Sequence, residues 1–262
     1  MFRRLSLFLR SLPGSLGIIL SNYPAVRAIT CISVAVFLIQ CLASFFTVPI
    51  GDGARAPLDA LLSAIFGIHW PWFSHGCIWQ PVTYAFLHGS FWHLFLNLFT
   101  LIFLGYSVER LLGTRRFWTI FLVSSAIGGI GWMVFDIFEP RLWYWVAQQG
   151  RIGLSLAQRW GESQGFVRYG VCVGASGGVF GLMGAFTALC PRQQISLLLF
   201  YVIPITMEAR YMALLLVAFN LFEMVTSMGH IAYVAHLLGG LVGYLMARRH
   251  VRSRDYWEHY YA

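Results

Sequence analysis

Three short segments carry side chains suited to acyl-transfer chemistry, and each lies in or beside an apolar run. The first, Gly174-Ala175-Ser176-Gly177-Gly178, sets a hydroxyl among small residues. A serine hydroxyl is a weak nucleophile unless a base within hydrogen-bond reach takes its proton. The second, Ala235-His236-Leu237-Leu238-Gly239-Gly240-Leu241-Val242-Gly243, offers such a base. The third is His88-Gly89-Ser90-Phe91-Trp92-His93-Leu94-Phe95-Leu96-Asn97. His93 and Asn97 are i, i+4 on one helix face, so both can donate to one point. Acyl transfer needs donors of that kind where the tetrahedral oxygen gains charge. His88 falls off that face and reads as a residue that caps or orders the loop.

Each segment taken singly has a plainer reading. Gly and Ser serve close helix packing in bilayers, and a lone His or Asn in a span can simply tie helices together by hydrogen bonds. Register shifts the balance. Gly177, Gly181 and Ala185 form one small-residue stripe, and Gly239, Gly243 and Ala247 form another. Two stripes at i, i+4, i+8 can bring two helices together. Ser176 and His236 then sit at the outer ends of the two stripes, as a nucleophile and its base must. No Asp or Glu is placed as a third member. Asp136 and Glu223 fall near span ends with nothing linking them to His236, so the simplest chemistry is a Ser–His dyad.

The elements that must position these groups are apolar. Of 262 residues, 58% are hydrophobic and 11% charged, against about 25% charged in soluble chains. Disorder, a coiled coil and a small disulfide scaffold are excluded, and the chain reads as a membrane protein. The net charge of +8 comes with 18 basic residues, all Arg, grouped between apolar runs. That arrangement follows the positive-inside rule and argues against a nucleic-acid partner.

A span needs about 20 apolar residues. Spans are expected near Ala28–Val48, Phe91–Leu112, Phe117–Phe138, Ala175–Cys190, Tyr211–Thr226 and Ile231–Ala247. The organisation is then a cytoplasmic segment at 1–27, read as uncleaved, a six-helix core at 28–247 and a basic cytoplasmic tail at 248–262. Residues 50–80 read as an interfacial loop rich in Trp. Residues 139–171 read as an aromatic loop, and 195–206, broken by Pro204, as interfacial. With both termini inside, thirteen Arg lie inside and five outside. No internal repeat is evident, against an inverted-repeat transporter. Cys31 and Cys41 read as small hydrophobes, and Cys77 and Cys172, both on the outer side, leave a disulfide open.

At this point the residues resemble the rhomboid family of intramembrane serine proteases, from about Trp79 to Ala247. The resemblance rests on ordered blocks: His88-xxxx-His93-xxx-Asn97, Gly174-Ala175-Ser176-Gly177 and Ala235-His236-xx-Gly239-xxx-Gly243. It implies an all-α membrane bundle of six helices in which Ser176 is the nucleophile and His236 the general base and then acid. His93, Asn97 and the Ser176 backbone N–H would form the oxyanion hole. Phe180 matches the aromatic position on which the catalytic His stacks, and Gly239 and Gly243 the small positions where the catalytic helices touch. Glu109-Arg110 with Gly113 resembles the end of the family's second helix.

One departure stands out. The family often has Trp-Arg where this chain has Trp79-Gln80, which puts loop anchoring or substrate preference in doubt but removes no catalytic group. The resemblance further implies single-pass transmembrane substrates entering between the second and fifth spans, and no metal or organic cofactor. A bacterial inner membrane is the expected location, since no organelle-targeting extension is evident. An inactive rhomboid-like protein that binds membrane helices and a small transporter are the alternatives.

Overall fold

The structure is a computed structural model describing residues 22–51, 54–148, 170–199, 203–226 and 232–251. It is mostly helical, and the helices fall where the apolar runs predict them. Helix α1 (Pro24–Ala43) opens with Pro at its first position, where the missing N–H is no loss. Its next two N–H groups, of Ala25 and Val26, donate to the Glu109 carboxylate at 2.9 and 3.0 Å. Glu109 is 3% exposed and also accepts the Thr114 hydroxyl at 2.8 Å. A buried carboxylate is thus matched by donors and by the positive end of a helix. The first helix therefore begins ahead of Ala28, with Ala25 and Val26 fully buried.

Hairpin β1 (Thr47–Gly51) and β2 (Ala54–Pro57) follows, then the short helices α2 (Leu58–Phe66), α3 (Trp70–Ser74) and α4 (Gln80–Thr83). The last carbonyls of α2 have no intrahelical partner. Trp79 Nε1 donates to the Ile65 carbonyl (3.0 Å), Gln80 Nε2 to those of Ala64 (2.9 Å) and Ile65 (3.2 Å), and the Thr83 hydroxyl to that of Phe66 (2.6 Å). Gln80 Oε1 accepts the His69 N–H at 3.1 Å, and Gln80 is fully buried. The doubt about loop anchoring at Trp79-Gln80 is thereby corrected. The neutral amide ties the loop through both of its ends.

Helix α5 (Phe91–Gln148) is two helices broken at Gly113, whose φ of 76° ends a right-handed helix. Its arms, 91–112 and 114–148, match the second and third expected spans, but the second arm runs on past Phe138 into the segment read as a loop. Residues 149–169, with the rest of that loop, lie outside the described residues. Helix α6 (Ser176–Leu189) leads to an antiparallel hairpin, β3 (Gln194–Leu199) with β4 (Ile203–Glu208). Residues 195–199 and 203–206, read as interfacial, lie on these two paired strands, so the fold is mostly helical rather than all-α. Helices α7 (Ala209–Thr226) and α8 (Tyr233–Val251) complete the described chain.

Helices α6 and α8 pack backbone to backbone at the centre. A Cβ at Gly239 would lie 3.0 Å from the Gly177 carbonyl carbon, and one at Gly243 2.5 Å from that of Gly181. The second arm of α5 covers the pair. Gly128 sits under the Ala235 carbonyl and Ser125 under Gly178. The outside is apolar: Leu38, Leu42, Trp92, Phe103, Leu214, Phe222 and Leu241 are all more than half exposed. Such a surface matches hydrocarbon rather than water. By length and composition, Pro24–Ala43 and Phe91–Phe138 can cross a membrane. Cys31, Cys41, Cys77, Cys172 and Cys190 are all free thiols.

Candidate active site

The site forms where the outer ends of α6 and α8 meet the start of α5. Ser176 is the first residue of α6 and His236 lies in the first turn of α8, both half-buried. His236 Nε2 and Ser176 Oγ are 2.8 Å apart. The imidazole lies parallel on Phe180, one turn beyond Ser176, with ring centroids 4.3 Å apart at 0°. This spacing follows from the glycine packing. Small residues at the interface let the two backbones approach, which brings the short Ser side chain within reach of the imidazole.

The segment before Ser176 is tied down at both ends. Ile68 and Cys172 exchange two backbone hydrogen bonds of 2.9 Å, and Gly174 N–H donates to the Tyr84 carbonyl at 2.9 Å. Tyr84, buried, donates its hydroxyl to the Ser125 carbonyl at 2.7 Å. Gly174 has φ 126°, where an L side chain is strained, and a Cβ there would lie 2.6 Å from the His93 ring. Gly174 is therefore required twice over, by its backbone and by its neighbour.

His93 and Asn97 face this turn from α5. Both line, with Ser176 and His236, one cavity of about 790 Å³. Asn97 is 7% exposed, and its Nδ2 has no hydrogen-bond partner. A buried amide without an acceptor is costly, and Asn97 lines the same cavity as Ser176. The Ser176 backbone N–H lies in the first turn of α6, where no intrahelical acceptor exists. Three donors so placed can hold an oxygen that develops negative charge.

His88 stays outside this set. It is 2% exposed, its ring meets that of His93 edge-on at 5.2 Å, and its backbone N–H donates to Gln40 Oε1 of α1 at 3.0 Å. That bond ties the turn into α5 to α1. Asp136 accepts the Gly170 N–H at 3.2 Å and lines the cavity, while Glu223 accepts the Tyr233 hydroxyl at 3.0 Å. Neither reaches His236. The residue that does is Asn220 of α7, with Oδ1 2.9 Å from His236 Nδ1. Its signal in the sequence is a single Asn within an apolar span, which is a mark of function in itself. Gln40, in the middle of the first span, gives the same signal.

Residues 75–253 match the family model described as Rhomboid domain. The chain belongs to the rhomboid family. Rhomboid proteins are integral membrane proteins. The chain is 31% identical over 161 residues to Rhomboid protein 1, mitochondrial, of Saccharomyces cerevisiae, covering 62% of this chain and 38% of that protein. It is 27% identical over 183 residues to the Putative rhomboid protease YdcA of Bacillus subtilis, covering 70% and 72% of the two chains. It is also 31% identical over 108 residues to the Inactive RHOMBOID-like protein 8 of Arabidopsis thaliana, covering 40% of this chain and 31% of that one. These relatives thus include one named as a putative protease and one named as inactive.

Proposed function

We propose that this rhomboid protein is an intramembrane serine endopeptidase cleaving single-pass transmembrane proteins near the outer membrane surface by a Ser176–His236 dyad. The supporting observation is the 2.8 Å approach of His236 Nε2 to Ser176 Oγ, with the imidazole stacked on Phe180. Ser176 Oγ attacks the scissile carbonyl as His236 Nε2 takes its proton. The oxyanion is held by Asn97, His93 and the Ser176 N–H. The imidazolium gives the proton to the leaving amine, and the acyl-enzyme forms. Water, deprotonated by His236, then releases the acid and restores the serine. The cavity supplies room for that water, and no step draws on a metal or organic cofactor.

In this reading the core crosses the bilayer six times through α1, the arms of α5, and α6 to α8, with both termini inside. The thirteen-to-five Arg distribution supports it. The bilayer is then a partner, and a bacterial inner membrane the location. The substrate helix enters between α5 and α7, the side on which Leu96, Thr100 and Leu216 line the cavity. It must unwind to expose its carbonyls, which Gly, Pro or polar residues in it make easier.

A fluorescent serine-reactive phosphonate tests the proposal. Wild-type labelling lost in Ser176→Ala and His236→Ala is expected, followed by cleavage of a single-pass substrate in vesicles. Labelling that survives in Ser176→Ala refutes the nucleophile. A folded wild type that neither labels nor cleaves in vesicles refutes the enzyme and leaves the helix-binding alternative.

A further inference from the structure

We propose that Asn220 is a positioning residue of this site: from α7 it fixes which nitrogen of the His236 ring carries hydrogen, and so leaves Nε2 as the base. The inference rests on the Ser176–His236 reading. Asn220 Nδ2 donates to the Leu216 carbonyl of its own helix at 2.8 Å. A carbonyl accepts and cannot donate, so the NH₂ end of the amide is assigned to that side. Oδ1 then faces His236 Nδ1, at 2.9 Å.

An acceptor oxygen is met only by an N–H, so Nδ1 carries the hydrogen of the neutral ring and Nε2 is bare. The bare nitrogen is the one 2.8 Å from the Ser176 hydroxyl. The opposite tautomer would set lone pairs together at Asn220 and turn an N–H toward Ser176, which could then not lose its proton to this ring. Phe180 holds the plane of the imidazole. Asn220 decides its identity within that plane.

The rest of α7 gives this residue a single inward task. Leu214, Leu215, Val217, Phe219, Leu221 and Phe222 are all exposed, with Phe222 at 63%. Asn220 is 3% exposed and, with Ala209 and Met212 at the inner end, is one of three buried side chains on the described part of the helix. Tyr233 and Glu223 make a second bond between α7 and α8, so Asn220 is not needed merely to join those helices.

The test compares Asn220→Leu, which offers no acceptor, with Asn220→Asp, which keeps one. The ¹⁵N shifts of the His236 ring report the tautomer whether or not the protein is active. The phosphonate labelling rate reports the activation of Ser176. The Nδ1–H form is expected in the wild type and in Asn220→Asp. In Asn220→Leu the two tautomers mix, and labelling slows about tenfold to a hundredfold, the range of a lost orienting hydrogen bond. Asn220→Asp restores the rate.

An unchanged tautomer in Asn220→Leu, or equal slowing in Asn220→Leu and Asn220→Asp, overturns the proposal. Asn220→Ala repeats the comparison if the Leu variant does not fold. A wild type that does not label overturns the dyad reading instead, and the nitrogen shifts still decide on Asn220.

Discussion

Gly243→Ala adds one methyl group far from any catalytic atom, and the structure says how much it should cost. The new Cβ would lie 2.5 Å from the carbonyl carbon and 2.7 Å from the Cα of Gly181. Carbon atoms in contact sit about 3.5–4.0 Å apart, so the shortfall is about 1 Å. Both sides of the clash are backbone, and no rotamer change relieves it. Helices α6 and α8 must part or tilt, and they carry Ser176 and His236. Opening their 2.8 Å contact by that amount takes it past 3.5 Å, beyond a hydrogen bond.

A misplacement of this size costs about 10²-fold in rate, with about 1–3 kcal/mol of overpacking in stability. The assay is the second-order rate of phosphonate labelling beside a thermal unfolding curve in the same detergent. Gly240→Ala is the control. Its nearest atom would be the Phe180 carbonyl oxygen at 3.6 Å, an ordinary contact. It makes the same gain in helix propensity without the clash. It should melt no lower than the wild type, gaining up to about 1 kcal/mol, and label within about twofold of it. A Gly243→Ala variant that labels as fast as Gly240→Ala would refute the argument that backbone contact sets the dyad.

Three further substitutions separate the functional groups from the scaffold. Asn97→Ala should lower turnover of a cleaved substrate by about 10²–10³ with the melting temperature held; a normal rate would remove Asn97 from the oxyanion site. Glu109→Ala leaves the Ala25 and Val26 N–H groups buried without an acceptor. At about 1–3 kcal/mol each, it should melt well below wild type, with Glu109→Gln between the two; an unchanged melting curve would show that the carboxylate is not the cap. Gln80→Leu removes the Ala64, Ile65 and His69 partners. Limited proteolysis between α2 and α4 should quicken while phosphonate labelling persists, and equal proteolysis of variant and wild type would count against the anchor.

The proposed constellation is legible in the sequence because its parts are covalently close to strong local signals. His93 and Asn97 share a face by helix periodicity alone. Gly177 with Gly181, and Gly239 with Gly243, announce a close helix pair because only small residues admit it. Ser176 and His236 at the ends of those stripes follow from register. Composition likewise settles the solvent, since so few charged side chains cannot cover a soluble protein of this length.

What the linear chain does not hold is which distant groups meet. Glu109 and the start of α1 are over eighty residues apart, and nothing local to either marks the pairing. Gln80 looks like a loss beside the usual Arg until its surroundings show three partners of the right polarity at its two amide atoms. Asn220 reads as one polar residue in an apolar span, and its meaning depends on the crossing of α7 over α8. Hydrophobic pattern and helical period fix faces along a helix. The partner of a single polar atom is fixed by the packing angle and depth between helices, which only the assembled bundle decides.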